Sequence, residues 1–367
     1  MFIKNISLIN YRNYEKQSAE FINGKNIVYG KNAQGKTNLL EAIYLFSSAK
    51  SHRRAADTEL IRKGSDFLRI KAEFFSNERD YTAEISITNQ KKKLIRLNGI
   101  PLKKRSELLG VFKCIIFSPE ELNLIKGAPE MRRNFLDMSI SSLKPAYYGI
   151  LKKYYKILKQ KNSLLKKIYC NPSLEKTISV WNEELAYAAA AVMIYRNEFL
   201  SLLSQSAARE HLEISNGAES LNINYVPNTP SDLFEDINNL KDRVLENIKR
   251  KSEAEKTVGA SLVGIHRDDI EFLIDGDDAK IYSSQGQQRT AVISIKSAQT
   301  EIIKDILGEY PVLLLDDVMS ELDEQRKNFL YKKTSGKQVI ITGTEKETGD
   351  MSGNKLFKIE NGTIREK

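Results

Sequence analysis

Two stretches that belong in one phosphate-binding core stand near opposite ends of this chain, and that separation limits its fold more than any other feature. The first is "GKNAQGKTN" at 30–38, entered through the apolar run "KNIVYG" and left through "TNLLEAIYLF", which recurs apolar at Leu39, Leu40, Ile43 and Phe46. Strand, loop and helix in that order fit the G-x-x-x-x-G-K-[ST] pattern through Gly30, Gly35, Lys36 and Thr37. Its glycines let backbone N–H groups close round phosphates, while the lysine reaches phosphate and the hydroxyl reaches Mg²⁺. The second stretch is "VLLLDD" at 312–317, a buried-strand pattern ending in Asp316 and Asp317. Adjacent carboxylates there are costly unless something cationic or hydrogen-bonding receives them. Mg²⁺ on Asp316, with Thr37 as its second protein ligand, answers that cost, and Asp317 stands where a base orients attacking water. A pair that only caps the next helix is the alternative.

Something large must interrupt the core. Alternating apolar positions predict strands near 2–11, 68–75, 80–88 and 92–97, with Asn98-Gly99 at a hairpin turn. A further strand, "VFKCIIF" at 111–117, leads into "SPEE", where Ser118 caps, Pro119 takes the first helical position and Glu121 completes a capping box. From 119 to 257 the pattern reads as almost wholly helical, with breaks near Asn171-Pro172, Asn216-Gly217 and Pro227 to Pro230. Strand-like alternation returns in "SLVGIHRDDIEFLIDGDDAKIYS", followed by a long amphipathic helix with Ala291, Val292, Ile295, Ala298, Ile302 and Ile306 on one stripe, ending at Gly308. The expected organisation is a discontinuous α/β head, 1–118 plus 258–367, with a helical inserted domain at 119–257. Where the last helix starts, "SSQGQQ" sets Ser284, Gly286 and Gln287 at a helix N-terminus, a second anion site that would complete a nucleotide bound on another copy.

Charge narrows the partner. A net charge of +9 and a pI near 9.2 favour a polyanion, nucleic acid or an acidic membrane surface. Between Asp137 and Glu175 there is no acidic residue, while Lys144, Lys152, Lys153, Lys156, Lys159, Lys161, Lys166 and Lys167 alternate with Tyr147, Tyr148, Tyr154, Tyr155 and Tyr169. Two readings stand: a solvated helix face whose tyrosines pack inward, or a phosphate-backbone contact favoured by counterion release, with Lys152, Lys153, Lys156 and Lys159 as the candidates. The longest apolar stretch, "LAYAAAAVMIY" at 185–195, falls short of the roughly 20 residues that span a membrane and predicts a buried helix. Cys114 and Cys170 form no C-x-x-C, His52, His211 and His266 are scattered, and the N-terminus lacks a signal-peptide pattern; the expectation is a cytoplasmic protein without a disulfide framework.

"GKNAQGKTN", "SSQGQQ", "LLLDDVMSELD" and "VIITG", split by a helical insertion, resemble the ATPase heads of the ABC class that includes SMC and Rad50 proteins. Within it, "LINYRNY" at 8–14, "SHR" at 51–53, "FSPEELNLIKGAPEMRRNFLD" at 117–137 and "GIHRDDIEF" at 264–272 resemble the RecF family of bacterial recombination mediators. The resemblance implies a P-loop ABC-type head, a mixed sheet with a β-rich N-terminal part, and an insertion carrying lobe II and a short arm without a long coiled coil. It implies ATP and Mg²⁺ as cofactors, bound through Gly30, Lys31, Asn32, Ala33, Gln34, Gly35, Lys36, Thr37 and Asn38, with nucleotide contact also at Arg12. Lys36 would hold the β- and γ-phosphates and Asp317 would stand in for the usual catalytic glutamate. Ser284, Gly286 and Gln287 match the signature motif that acts on the opposite subunit, and Ser320 to Asp323 match the loop that crosses such an interface.

The implied activity is a weak, DNA-stimulated ATPase used as a switch. An ATP-dependent homodimer would bind gapped or single-/double-strand junction DNA, and a RecR-type partner would join it to load the recombinase RecA. Replication restart and SOS induction belong to the same implied role. Three departures point to slow hydrolysis: Asp317 is shorter than glutamate, Ser118 or Glu120 replaces the usual Q-loop glutamine, and only Thr342 or Thr344 replaces the switch histidine. Arg53 and Arg54 read as nucleotide or DNA contacts or as surface residues, and "HRDD" at 266–269 as a functional block or an ion-pair cluster. A transporter's nucleotide-binding subunit and an SMC- or Rad50-like structural ATPase are the alternatives. The insertion is too short and lacks the heptads of a long arm, and a nuclease using "DGDD" at 275–278 lacks a strand-end glutamate.

Overall fold

The computed structural model describes residues 1–168, 171–230, 236–343 and 353–367. Tyr169, Cys170 and Thr344 lie outside them. The chain forms two compact units, Met1–Glu121 with Val292–Lys367, and Leu122–Ala291.

The first unit opens with β1 (Phe2–Tyr11), β2 (Tyr14–Glu20), β3 (Lys25–Tyr29) and α1 (Lys36–Ser48). Then come β4 (Phe67–Ser76), β5 (Arg79–Thr88), β6 (Lys93–Leu97), β7 (Ile100–Pro101) and β8 (Cys114–Phe117). Strands β2-β1-β4-β5-β6-β7 make an antiparallel sheet. Period-two burial along β4 inserts Leu68, Ile70, Ala72 and Phe74 into the core, as its sequence alternation predicts. The β2 strand is not among the expected ones because its exposed lysine and glutamates and half-buried glutamine mask the alternation.

The second unit begins at Leu122 and holds α2 (Asn123–Lys126), α3 (Pro129–Leu143), α4 (Pro145–Ile168), α5 (Ile178–Ile214), β9 (Leu221–Val226), α6 (Ile237–Arg250) and α7 (Ser252–Val258). It continues through β10 (Asp269–Ile274) and β11 (Asp277–Asp278) into α8 (Gln285–Leu307). The alanine run at 188–191 is buried in α5, which packs against α4, α6 and β9 instead of extending as an arm. Among the described residues no helix is long and apolar enough to cross a membrane.

Two expectations about this unit need correction. The stretch 119–257 is not wholly helical, because β9 pairs antiparallel with β10, setting Leu221 opposite Ile274 and Ile223 opposite Phe272. That pairing carries the unit past 257 to Ala291. Nor does a long helix start at "SPEE". Pro119–Leu122 is one 3₁₀ turn, α2 stops before Gly127, and α3 starts anew. Ser118 Oγ is buried without a hydrogen-bond partner, so the expected capping box does not form, and Glu121 pairs with Lys296.

From Val292 onward α8 belongs to the first unit, which closes with β12 (Val312–Leu315), α9 (Glu324–Thr334), β13 (Val339–Gly343), β14 (Lys355–Glu360) and β15 (Thr363–Glu366). The order β15-β14-β3-β13-β12-β8 is parallel except for edge strand β15. Central β12 is buried along its whole length, the pattern of a strand covered on both faces. The stripe expected on α8 is buried from Ala291 to Ile302, but Ile306 is 46% exposed. One core unites Leu39, Leu40, Ile43 and Phe46 of α1 with residues of both sheets, and α1 touches β4 on one side and β8 and β13 on the other.

Candidate functional site: a phosphate loop beside a buried carboxylate

The parallel sheet brings the ends of β3 and β12 together through β13, which pairs with both. Two consequences follow for the loop at 30–35. Gly30 runs against β14, where a Cβ would stand 2.3 Å from the Ile359 carbonyl oxygen. Gly35 sits at φ 121° and leaves no room for a Cβ, which would meet Asn13 Nδ2 at 2.7 Å and the Tyr14 hydroxyl at 2.9 Å. Lys36 opens α1 and is buried; its Nζ donates to the carbonyls of Gly30 at 2.9 Å and Lys31 at 3.3 Å. The lysine thus closes on its own loop, with the remaining members, Asn32, Ala33 and Gln34, between those contacts and the helix.

Asp316 follows β12 and is 4% exposed. Thr37 Oγ1 donates to its Oδ1 at 3.0 Å and Thr342 Oγ1 to the same oxygen at 2.8 Å. Burial pushes this carboxyl above the ordinary carboxylate range; the two threonines oppose the shift, and the charges of Asp317 and Glu120 add to it. Thr342 also accepts the Asp317 N–H at 2.9 Å, and the Asp317 backbone is left-handed at φ 51°. Its carbonyl accepts the Ser320 hydroxyl at 2.8 Å, which ties the "SELD" segment to the second aspartate. Thr342 therefore holds both aspartates from one residue before Gly343, which stands where the resemblance expects a switch histidine.

No group of three or more His, Cys, Asp or Glu arranged to hold a metal occurs among the described residues. The fit is of another kind. One carboxylate, a threonine hydroxyl and an adjacent phosphate loop supply the sparse ligand set that Mg²⁺ takes when substrate phosphates and waters complete its shell. Among the described residues the buried Asp316 carboxylate is received by two hydroxyls and lies near the charges of Asp317 and Glu120, a setting that fits such an ion.

Ser284 and Gln287 form a reciprocal cap on α8. The Ser284 N–H donates to Gln287 Oε1 at 2.8 Å, and the Gln287 N–H donates to Ser284 Oγ at 3.2 Å. The S-x-x-Q spacing carried this signal in the sequence. Gly286 lies between them, and the preceding Ile281 and Tyr282 are 67% and 72% exposed.

Other candidates have different engagements. Arg12 turns to α1, where its Nε and Nη2 donate to the two oxygens of Glu41, both at 2.9 Å. Burial pushes the Glu41 carboxyl up, but Arg12 and Ser51 hold it below the ordinary range. Arg53 and Arg54 are exposed. In "HRDD", Asp268 is buried against Arg196 at 2.8 Å, and Asp269 takes Arg132 through two bonds at 2.6 and 2.8 Å, which favours the ion-pair reading. "DGDD" turns at Asp275-Gly276 and returns as β11: Asp275 accepts the Ser220 N–H at 2.8 Å, and Asp278 the Lys280 N–H at 2.8 Å.

On α4, Lys152, Lys153, Lys156 and Lys159 are exposed, but Lys161 is buried against Glu255 at 2.7 Å. The missing acidic partners come from α5, where Glu184 meets Lys153 at 2.6 Å and Glu198 meets Lys144 at 2.8 Å. Tyr147 and Tyr154 are fully buried, so the tyrosines divide between core and surface. Asn13, Tyr14 and Asn361, which brace the phosphate loop, escaped sequence reasoning because they reach it from two hairpins distant in sequence.

Comparison with known proteins agrees with this geometry. The model of the RecF/RecN/SMC N-terminal domain matches residues 2–364. The DNA replication and repair protein RecF of Alkaliphilus oremlandii is 42% identical over 95% of this chain and 94% of its own length. The chain belongs to the RecF family. RecF of Bacillus cereus is 41% identical over 99% of this chain and 98% of its own. A solved structure of the recombination mediator protein RecF with ATP, in the RecFOR pathway, superposes with a TM-score of 0.95 at 37% identity, covering 100% of this chain and 97% of that one. The Smc head domain of Pyrococcus furiosus shares the fold at a TM-score of 0.57 and 14% identity, covering 100% and 96% of the two chains. RecF-family membership and the ABC-type head agree with the resemblance read from the motifs.

Proposed function

We propose that this chain is an ATP-dependent DNA-binding recombination mediator working in the cytoplasm. The observation that carries the reading is Thr37 and Asp316 in hydrogen bond beside the Lys36 loop, in a family whose member has been solved with ATP. Lys36 would receive the β- and γ-phosphates, and Thr37 and Asp316 would hold Mg²⁺, which when bound neutralises phosphate charge. Asp317 orients water less closely than a glutamate would, so hydrolysis is slow and serves as a timer. Ser284, Gly286 and Gln287 of one copy complete the site of another, making ATP the link in a homodimer.

The dimer binds gapped or junction DNA, and its weak ATPase is stimulated there. With a RecR-type partner it assists RecA loading in gap repair, replication restart and SOS induction. RecF in its relatives is named for DNA replication and repair and for the RecFOR pathway, which supports this reading over a transporter subunit. Sedimentation with and without Mg²⁺·ATP tests it: the wild type should dimerise with ATP, and Lys36→Arg should remain a folded monomer without turnover. Unchanged sedimentation and ATPase in Lys36→Arg would sink the nucleotide role.

A further inference from the structure

The phosphate loop is held from outside by the hairpin of β1 and β2. Asn13 lies in the turn between β1 and β2, whose ends pair at Tyr11 and Tyr14. Its Nδ2 donates to the Gln34 carbonyl at 2.7 Å, and its Oδ1 accepts the Asn38 side-chain N–H at 2.8 Å. The next residue in the loop is served by Tyr14, whose fully buried hydroxyl donates to the Gly35 carbonyl at 2.8 Å. That carbonyl also accepts the Leu39 N–H at 3.0 Å, so Tyr14 occupies its second lone pair. A second turn joins from the other side: the Asn361 N–H donates to Gln34 Oε1, and Gly362 at φ 70° packs so closely that a Cβ would meet the Asn13 carbonyl oxygen at 2.4 Å.

These bonds govern donors they do not touch. No cis peptide bond occurs among the described residues. In a trans peptide the C=O of one residue and the N–H of the next point in opposite directions across a rigid plane. Drawing the Gln34 and Gly35 carbonyls towards the hairpin therefore turns the Gly35 and Lys36 N–H groups away from it. Those are two of the N–H groups that the loop motif directs at phosphate. We propose that Asn13 and Tyr14 are positioning residues that hold these two peptide planes, so that the phosphate cradle stands preformed before nucleotide arrives. This rests on the nucleotide reading above.

The test separates positioning from folding and from that reading. Binding of fluorescent ATP and ADP analogues would be titrated for the wild type, Tyr14→Phe, Asn13→Ala and Asn13→Asp, alongside the melting temperature of each nucleotide-free protein. Tyr14→Phe keeps the ring and leaves the Gly35 carbonyl bonded to Leu39, so its melting temperature should stay near the wild-type value. Its dissociation constant for both nucleotides should rise about three- to tenfold, the effect of one hydrogen bond. Asn13→Asp keeps the shape and the acceptor for Asn38 but loses the donor, and should bind at least as poorly as Asn13→Ala. Wild-type affinity in Tyr14→Phe and Asn13→Asp would overturn the positioning role while leaving the nucleotide reading intact. A wild type that binds neither nucleotide would overturn both.

Discussion

Two buried aspartates, each the first of a D-D pair, have opposite surroundings. In the second unit Asp268 is met by Arg196 at 2.8 Å, by the Tyr225 hydroxyl and by the Asn228 N–H at 2.8 Å. Arg196 is wholly buried and also bonds Asp137, at 2.9 Å. Burial works against the guanidinium charge, and Asp137, Tyr147, Tyr225 and Asp268 outweigh it. In the first unit Asp316 is as deeply placed but, among the described residues, its carboxylate meets only the hydroxyls of Thr37 and Thr342, with Asp317 and Glu120 adding negative charge. The Asp268 cluster carries its own cation and closes on itself, which is how buried charge is made compatible with a fold. Among the described residues no cation bonds Asp316, the surroundings that the proposed Mg²⁺ site calls for.

The largest effect should come from breaking the closed cluster. Arg196→Ala strands two carboxylates in the core and should lower the unfolding free energy by about 3–5 kcal/mol, measured in urea. A loss under about 0.5 kcal/mol would erase the distinction. Next is the pH response of His266, which burial lowers to about 4 and whose Nδ1 lies 2.7 Å from the Tyr154 hydroxyl. A histidine held neutral in this way contributes fully above its ordinary value near 6.5, and the contribution is lost as pH falls through about 4. Stability should decline over that window by on the order of 2–3 kcal/mol, and His266→Gln should flatten the decline; an unaltered profile in the variant would assign it to other groups.

Asp316 should run the other way. Its raised carboxyl favours the folded state below the ordinary carboxylate value and loses that contribution as pH rises through the raised one. At neutral pH, Asp316→Asn should leave the nucleotide-free protein unchanged or stabilise it by about 1 kcal/mol, read from the same urea curves. Marked destabilisation would make Asp316 a structural residue like Asp268. The smallest stability effect belongs to the surface: Lys152, Lys156 and Lys159 changed to Gln should alter unfolding by no more than about 0.5 kcal/mol. If this patch binds DNA, the slope of log affinity against log salt should drop by up to about 0.9 per lysine that contacts phosphate. An unchanged slope would remove α4 from the DNA surface.

The contrast also explains what could be read without coordinates. The loop at 30–38, the strands β4 to β6 and the buried helix through 185–195 follow local periodicities, so their residues announce them. "HRDD" and "LLLDD" present the same adjacent aspartates, and only the third dimension supplies Arg196 to one and Thr342 to the other. Likewise β9 lies within a stretch that reads as helical until β10, beyond two further helices, gives it a partner. "SPEE" contains a sound capping signal, yet Glu121 is drawn to Lys296 and Ser118 faces inward. Arg12, a nucleotide contact by resemblance, also pairs with the buried Glu41 on α1, a partner that the motif does not show.

The most direct test of an Asp316 cluster awaiting its cation is a melting experiment with Mg²⁺ alone, ATP alone and both together. Ligand binding to the folded state should raise the melting temperature of the wild type most when both are present. The Asp316→Asn variant should lose the part that needs Mg²⁺ while keeping its nucleotide-free melting temperature. An equal Mg²⁺·ATP shift in wild type and Asp316→Asn would contradict the account.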